Sequence, residues 1–173
     1  MDSSGRFRLV PYSEKQTACV RCAMKQRRID RELVLIPYYP NEEITLGWYQ
    51  DRELCKQVDN IDFVYTPDRL RAMYAYLNTH GSCYYIEYNG KLVGDCTLRD
   101  NSEIAITVCR EYQNRHIGRR CVLAMLALAK EKGIREVKAH IYSFNRQSQN
   151  MFRAVGFRQT AEEWYVFRFD EEA

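Results

Sequence analysis

The order of hydrophobic and polar residues predicts short strands and amphipathic helices. An apolar run at residues 33–37 predicts a first strand, and an acidic stretch at 41–58 has helical spacing. Thr66 followed by Pro67 is typical of a capped helix start, and this helix is predicted to run to about Leu77. The first half of the chain is therefore predicted to contain one strand and then helices.

The middle of the chain is rich in strands joined by tight turns. Predicted strands at 83–88 and 91–98 flank Asn89-Gly90, which suits a type I′ turn because both central residues need a positive φ. A further strand is predicted at 103–109. This pattern indicates three consecutive antiparallel strands.

The last third alternates helices and strands. Apolar residues recur on one face of a predicted helix at 117–132, which Gly133 ends. A strand at 137–142, a helix at 145–155 and a strand at 164–169 follow. A strand, a helix and another strand in succession predict a parallel pair. The fold class is thus α/β (α+β), with a mixed, mostly antiparallel sheet that contains one parallel βαβ unit.

Length and composition indicate one folded domain. The chain has 173 residues and a mass of 20.6 kDa, with 46% hydrophobic and 28% charged residues, which argues against disorder and coiled coil. We expect a basic helical arm at residues 1–31, with its helix at 14–28, before a domain at 32–173. Because no run of about 18 apolar residues is present, we expect no membrane span. The first residues also lack the apolar core of a secretory signal.

Seven cysteines are scattered along the chain, mostly within apolar runs. An odd, dispersed set does not fit a disulfide framework, so we expect a reducing compartment, most simply the cytosol. Cys19-x-x-Cys22 could be half of a metal or redox site, but the sequence has no second ligand pair at suitable spacing. Two residues of one helix is the favoured interpretation, and no metal site is expected.

The net charge of +3 is unevenly distributed. Residues 1–31 carry a net charge of +5, residues 32–104 carry −6 and residues 105–173 carry +4. A nucleic-acid-binding protein is more often basic throughout or has one long basic stripe, so nucleic acid is not the expected partner. An acidic middle beside a basic final third suggests an anionic ligand on one side and a cationic ligand on the other.

A helix N-terminus with a basic cluster is the strongest candidate site. Arg115, His116, Arg119 and Arg120 surround the first turn of the helix at 117–132, where the helix dipole disfavours cations. A bound phosphate would relieve this conflict, since backbone N–H groups and basic side chains would both point at it. A solvated basic face is the alternative. The loop is neither a Walker loop nor a Rossmann glycine motif.

Four motifs in order resemble those of the GCN5-related N-acetyltransferases, the GNAT family. The run Gln-Asn-Arg-His-Ile-Gly at residues 113–118 is similar to the family's Gln/Arg-x-x-Gly-x-Gly/Ala pyrophosphate loop, and the strand before it resembles the cofactor-side strand. Residues 145–148 resemble the Asn-x-x-Ser/Ala motif, and Gly156-Phe157 resembles the Gly-Phe that ends the next helix. The region from residue 33 to 51 resembles the branch that contains ribosomal-protein alanine acetyltransferases. The resemblance spans residues 32–169.

This resemblance implies acetyl-CoA as co-substrate, in a cleft between the parallel strands at 103–109 and 137–142. Its pyrophosphate would rest on the N–H groups of residues 115–119, and a backbone N–H near Val108, beside a bulge, would polarise the thioester carbonyl. Asn145 would bond the pantetheine arm, and the amine would attack the thioester directly, without a covalent enzyme intermediate. The implied cofactor-binding residues are Ile106, Val108, Gln113, Asn114, Arg115, His116, Ile117, Gly118, Arg119, Asn145, Ser148 and Phe152.

Two departures from the family pattern affect the chemistry. His116 replaces the middle loop glycine, which costs backbone strain if that position has a positive φ. Phe152 replaces a Tyr that protonates the leaving thiolate in many members, and Ser148, four residues earlier on the same helix face, is the candidate acid. Glu103 is the candidate base, directly or through a water, and a solvent-facing strand Glu is the alternative.

Aromatic residues concentrate before the hairpin turn, since ten of the thirteen tyrosines precede Asn89. An aromatic, acidic surface would suit a cationic amine, whereas plain packing is the alternative. Tyr142 and Tyr165 are further candidate proton carriers, although each is more typical of a core aromatic.

The resulting hypothesis is an N-acetyltransferase that transfers the acetyl group of acetyl-CoA to a primary amine, on a small molecule or at a protein N-terminus. A non-catalytic acyl-CoA-binding protein of the same fold is one alternative, because His116 and Phe152 depart from the catalytic pattern. A basic arm that docks on ribosomal RNA or another acidic partner is a second alternative. The sequence leaves monomer and homodimer open.

Overall fold

A computed structural model describes residues 24–170. In chain order the elements are β1 (Arg27–Arg28), β2 (Leu33–Pro37), α1 (Glu42–Tyr49), α2 (Arg52–Asp59), α3 (Pro67–Thr79), β3 (Gly81–Tyr88), β4 (Lys91–Arg99), β5 (Ile104–Val108), α4 (Ile117–Glu131), β6 (Glu136–His140), α5 (Arg146–Val155), β7 (Arg158–Ala161) and β8 (Trp164–Arg168). A short 3-10 turn at Arg110–Tyr112 separates β5 from α4. Thr66 caps α3 as predicted, and Gly133 follows α4 with a positive φ.

Two sheets form the centre of the molecule. Strands β1 to β5 pair in chain order as one antiparallel sheet, and β6, β8 and β7 form a second antiparallel sheet. Asn89 and Gly90, both at positive φ, make the predicted tight turn between β3 and β4. The predicted class, α/β (α+β) with mostly antiparallel mixed pairing, is confirmed.

The predicted parallel unit joins the two sheets at one point. Glu103 and Lys138 form a parallel bridge, in which the Lys138 N–H donates to the Ser102 carbonyl oxygen at 3.0 Å. Beyond this bridge β5 stays in the first sheet and β6 in the second, so the two strands diverge. The gap between them opens at the N-terminal end of α4.

Two hydrophobic cores lie on opposite faces of the five-stranded sheet. One core packs α4 and α5 against the sheet. The other packs α1, α2 and α3, and four of its nine buried members are Tyr49, Tyr65, Tyr74 and Tyr85. Packing therefore accounts for much of the early tyrosine cluster.

The N-terminal prediction is wrong at its end. The helix expected at 14–28 does not reach its predicted limit, because Arg27–Arg28 forms β1 and pairs with β2. This pairing is a contact between segments that local periodicity does not encode. Residues 14–23, together with Cys19 and Cys22, lie outside the described part of the chain. The division between an arm and a domain after residue 31 stays a prediction.

The acidic stretch at 41–58 forms two helices instead of one. Asp51 lies between them, and its carboxylate accepts from the N–H groups of Glu53 and Leu54, so a new helix begins there. Strand β7 has no counterpart in the prediction, because all of its residues are exposed and it shows no apolar alternation.

The five cysteines within residues 24–170 are free thiols, and four of them are buried. In the same range, no three His, Cys, Asp or Glu side chains are grouped closely enough to hold a metal ion. None of the helices in this part of the chain has the length and apolar character needed to cross a membrane.

Candidate functional site

A cleft of about 770 Å³ lies where β5 and β6 diverge. Residues from β5, from the N-termini of α4 and α5, and from α1, α2 and α3 line it. The predicted site residues that line the cleft are Glu103, Ile106, Val108, Gln113, Asn114, His116, Ile117, Gly118, Arg119, Asn145, Ser148 and Phe152. Arg115 is not among the lining residues. The fold therefore brings together nearly all residues that the motifs indicate.

One end of the cleft is built from main chain. Asn114 and His116 adopt left-handed conformations, with φ of 59° and 58°, as the chain turns into α4. No side chain caps α4 and no acidic residue occupies its first turn, whereas α1, α2 and α3 each carry an acidic residue in the first turn. The first N–H groups of a helix have no partner within it, so this end offers donors to an anion. The positive φ that strains His116 is confirmed.

Gly118 keeps this end open. A Cβ atom on Gly118 would lie 3.7 Å from Met151 Cε and 3.9 Å from Ile106 Cδ1, which are ordinary van der Waals distances. The fold itself therefore accepts a methyl group here. If only glycine is tolerated at residue 118, the reason is a ligand in the cleft and not a contact with the protein.

The basic residues around the loop have different surroundings. His116 and Arg119 are exposed and line the cleft. The Arg115 guanidinium lies over the Tyr112 ring, 5.0 Å from its centre. Arg120 forms ion pairs of 2.8 and 2.9 Å with two acidic residues of the N-terminal segment. Only part of the basic cluster in the sequence thus faces the cleft.

Backbone donors from the edge of β5 face the middle of the cleft. The Cys109 N–H donates to the Val93 carbonyl oxygen at 2.8 Å and so points toward β4. Successive N–H groups of a strand alternate in direction, so those of Val108 and Ile106 point into the gap toward β6. This direction fits a donor to a thioester carbonyl near Val108.

The bulge expected beside Val108 is absent, because the pairing of β4 with β5 has no register shift. Gly94 lies opposite Val108, and a Cβ atom there would collide with the Thr107 carbonyl oxygen. The missing side chain lets the two backbones approach closely, so the ladder stays regular to its end.

The N-terminus of α5 lies beside the loop before α4. Asn145 Oδ1 accepts from the Ser148 N–H at 3.2 Å, and Asn145 Nδ2 donates to the Gln57 carbonyl oxygen at 3.3 Å. Gln147 Nε2 donates to Asn114 Oδ1 at 3.1 Å and so ties α5 to the loop. Both polar atoms of the Asn145 side chain therefore have partners within the protein, while Ser148 lines the cleft.

Three aromatic residues differ in their access to the cleft. Phe152 is 3% exposed and packs in the core that contains α4 and α5. Tyr165 is fully buried, accepts a hydrogen bond from Arg153 Nη2 at 3.1 Å, and is not a lining residue. Tyr142 lines the cleft, and burial raises its pKa. The core interpretation of Tyr165 is therefore confirmed.

Glu103 lies at the opposite end of β5 from Val108. The Glu103 Oε2 atom is 3.1 Å from Arg99 Nη1, and the Glu103 side chain is 18% exposed. It lines the cleft, but within an ion pair. If Glu103 acts as a base, its carboxylate must accept the proton while it is paired with Arg99.

No motif in the sequence points to Asp95, a buried carboxylate beside the cleft. Asp95 on β4 is 4% exposed, and its Oδ2 accepts from the hydroxyls of Tyr49 and Tyr74, both at 2.7 Å. Burial raises the pKa of Asp95 to about 6, although neighbouring hydroxyls lower it in part. The signal available in the sequence is a lone acidic residue in the middle of β4, where its neighbours from residue 92 to 98 are uncharged.

His140, at the end of β6, is a second lining residue that no motif indicates. The His140 Nε2 atom is 3.3 Å from Glu163 Oε2. Because Glu163 comes from the turn before β8, this pair forms only through the pairing of β6 with β8.

Comparison with known proteins identifies the family of the chain. Residues 45–157, more than half of the chain, match the model of the Acetyltransferase (GNAT) family. The chain belongs to this family of acetyltransferases. A thialysine N-epsilon-acetyltransferase from Bos taurus is 27% identical over 92 residues, which cover 52% of this chain and 51% of that protein. The probable N-acetyltransferase camello from Xenopus tropicalis is 23% identical over 104 residues, covering 56% of this chain. The chain thus spans about half the length of these relatives.

Solved structures confirm the fold. A GNAT-family acetyltransferase from Bacillus anthracis superimposes with a TM-score of 0.71 at 15% identity, covering 83% of this chain and 98% of that chain. A ribosomal L7/L12 alpha-N-protein acetyltransferase in complex with coenzyme A superimposes with a TM-score of 0.69 at 14% identity, covering 84% and 99%. The family resemblance seen in the sequence is confirmed, and ribosomal-protein acetyltransferases are among the neighbours in fold.

Proposed function

We propose that this protein transfers the acetyl group of acetyl-CoA to a primary amine, on a small molecule or at a protein N-terminus. The observation that carries the proposal is the uncapped N-terminus of α4, reached through left-handed Asn114 and His116, at one end of the cleft. Family membership supports it. Relatives are named for both kinds of acceptor, a thialysine side-chain amine and a ribosomal-protein N-terminus.

The residues of the cleft fit acetyl-CoA as co-substrate. The N–H groups of Ile117, Gly118 and Arg119 would hold the pyrophosphate, with the side chains of His116 and Arg119 as cationic neighbours. The N–H of Val108 would donate to the thioester carbonyl oxygen. Acetyl-CoA supplies the activated acyl group, and the protein supplies the position and the donors.

Catalysis in this proposal rests on positioning and proton transfer. The amine attacks the thioester carbon directly, so no side chain carries the acetyl group. Ser148, at the start of α5, donates a proton to the leaving thiolate. Glu103 is the proposed base, acting directly or through a water from its pair with Arg99.

A non-catalytic acyl-CoA-binding protein is the second candidate function. Phe152 favours it, because a buried phenyl ring stands where many members carry a proton donor. Calorimetric titration with acetyl-CoA, combined with detection of free thiol across a panel of primary amines, separates the two. The transferase binds acetyl-CoA saturably and releases thiol only with amine. Binding without thiol release favours the second candidate, and absence of binding contradicts both.

The proposal also covers the cellular compartment of the protein and the role of its N-terminal segment. The free thiols of the five described cysteines suit the reducing cytoplasm. In this proposal residues 32–173 are the acetyltransferase domain, and the basic residues 1–31 act as an arm of which Arg27–Arg28 pairs with β2. If this arm docks on an acidic partner such as ribosomal RNA, binding falls steeply with salt and is lost on deletion of residues 1–30.

A further inference from the structure

Two hydroxyl groups and one carboxyl group form a chain of close contacts that starts at the cleft and ends at a buried acid. Thr107 Oγ1 lies 3.2 Å from the Tyr49 hydroxyl oxygen, and the Tyr49 hydroxyl donates to Asp95 Oδ2 at 2.7 Å. All three residues line the cleft. Thr107 directly precedes Val108, whose N–H points into the gap. The outer end of this chain of groups therefore lies beside the proposed position of the thioester, and its inner end is a buried acid.

Asp95 is better placed than Glu103 with respect to Val108. Asp95 lies opposite Thr107 in the register of β4 and β5. Glu103 is five residues from Val108, about 17 Å along an extended strand. Arg99 also pairs with Glu103, whereas no ion pair within residues 24–170 includes Asp95.

We propose that the hydroxyls of Thr107 and Tyr49 pass the proton released by the attacking amine to Asp95, which then takes the place of Glu103 as the base. This inference rests on the proposed acetyl transfer. The amine proton moves to Thr107 Oγ1, the Thr107 proton moves to the Tyr49 oxygen, and the Tyr49 proton moves to Asp95 Oδ2. Each hydroxyl gains one proton and gives up one, so both are unchanged and Asp95 ends protonated.

The remaining atoms and electrons balance at the thioester. The nitrogen lone pair forms the bond to the acyl carbon, and the carbon–sulfur electron pair leaves with the sulfur. An ammonium nitrogen loses two protons when it becomes an amide nitrogen. One proton reaches Asp95, and the other reaches the thiolate through Ser148, whose hydroxyl is regenerated. Asp95 returns its proton to solvent by the same hydroxyls after the products leave.

The surroundings of Asp95 suit a proton acceptor near neutral pH. Burial raises its pKa to about 6, so the carboxylate is ionised at pH 7 and still basic enough to accept a proton. The titratable and hydroxyl groups that face Asp95 come from every element packed against it. They are Tyr49 of α1, Asp59 at the end of α2, Tyr74 of α3, Cys83 and Tyr85 of β3, Cys96 of β4 and Thr107 of β5. None of these groups is cationic. Activity should therefore fall as the pH falls through about 6, where Asp95 becomes protonated.

Tyr74 provides a matched comparison for Tyr49. The Tyr74 hydroxyl donates to the same Asp95 Oδ2 at the same 2.7 Å, but Tyr74 does not line the cleft. Both hydroxyls lower the pKa of Asp95, so removal of either one raises it. Only Tyr49→Phe also interrupts the proposed proton path.

The test is the pH profile of kcat for the full chain, with saturating acetyl-CoA and n-butylamine or an alanine peptide as the amine. Tyr49→Phe and Thr107→Val should lower kcat at least about tenfold, with the Kd for acetyl-CoA within about twofold. Thr107→Ser, which keeps a hydroxyl, should recover most of the loss. Tyr74→Phe should move the acid limb of the profile to higher pH, with a smaller loss of kcat on the plateau.

Three results would overturn the inference. Equal losses for Tyr49→Phe and Tyr74→Phe without movement of the acid limb would give Asp95 a purely structural role. Equal kcat for Thr107→Val and Thr107→Ser would exclude the hydroxyl path. If Tyr49→Phe does not fold, this pair of Thr107 variants alone tests whether the proton passes through the hydroxyls. Absence of acetyl transfer by the wild-type protein would remove the proposed function itself, and with it this inference.

Discussion

The two ends of the cleft are built from different parts of the chain. The end at the N-terminus of α4, called the phosphate end because we propose that the pyrophosphate binds there, is built mainly from the main chain of residues 113–119. The end at Tyr49, Asp95 and Thr107, called the acceptor end because we propose that the amine loses its proton there, consists of side chains that are distant in sequence. Tyr49 is 46 residues from Asp95 and 58 from Thr107. A site made of local backbone leaves a compact motif in the sequence. A site made of distant side chains leaves scattered residues that become related only when the sheet and helices pack.

The two ends also differ in charge. The phosphate end combines an uncapped helix N-terminus with exposed His116 and Arg119. The acceptor end holds the buried carboxylate of Asp95 beneath two tyrosine hydroxyls. These charges fit the proposed function, in which the first end holds an anion and the second receives a cationic amine.

The largest expected effect concerns the phosphate end. Gly118→Glu should weaken acetyl-CoA binding by nearly a thousandfold, because a carboxylate about 4 Å from a phosphate costs about 4 kcal/mol at an effective dielectric near 20. Isothermal titration calorimetry measures the loss. Gly118→Ala is the matched variant, and it should keep the melting temperature because its Cβ meets only ordinary contacts. Equal binding by Gly118→Glu and wild type would place the pyrophosphate elsewhere.

The next effect concerns the stability of the acceptor end. The folded pKa of Asp95, about 6, lies above the ordinary 3.8, so the folded state binds this proton more tightly. Wild-type stability should therefore fall as the pH rises from 4 to 7, by about 2 kcal/mol from this group. Asp95→Asn lacks this dependence and should gain about that amount relative to wild type over the same range. Urea unfolding at both pH values measures it, and a difference that does not change with pH would contradict it.

A third prediction tests Ser148, the proposed acid. Ser148→Ala should lower kcat by about ten- to a hundredfold, about 1.4–2.7 kcal/mol, while the Kd for acetyl-CoA stays the same. The helix cap survives, because Asn145 bonds the backbone N–H of Ser148. Ser143→Ala, outside the cleft lining, is the control and should keep kcat. Unchanged steady-state turnover in Ser148→Ala would remove Ser148 from the acid role.

The smallest expected effect is a change in the free energy of unfolding caused by substitution of His116. His116→Gly should raise the free energy of unfolding by about 0.5–1 kcal/mol, because glycine adopts the φ of 58° without the strain of a Cβ. His116→Ala keeps that strain and should give no gain. Denaturant unfolding of the two variants compares them directly, and a loss of stability in His116→Gly would show that the imidazole contributes more than the strain costs.

Local signals account for the parts of the fold that the sequence predicts well. Asn89-Gly90 demands two positive φ values, and the apolar face of α4 repeats with helical spacing, so both elements are recognised without tertiary information. β1 forms only by pairing with β2, and β7 is exposed throughout, so neither leaves a local pattern.

The candidate site divides in the same way. The loop at 113–118 and the capped start of α5 lie within short runs, so their motifs indicate their place in the cleft. Asp95 gains its raised pKa from burial between α1, α3 and the sheet, and no neighbour in sequence produces that environment. The sequence thus indicates the proposed phosphate site, whereas the proposed proton acceptor is recognised only from the packing.

Acetyl transfer by direct attack is the central claim, and rapid-quench analysis with acetyl-labelled acetyl-CoA tests it most directly. We expect the label to pass from coenzyme A to the primary amine, in step with thiol release, and none to be found on the protein. Label that stays on coenzyme A despite saturable binding, or label attached to a side chain, would contradict it.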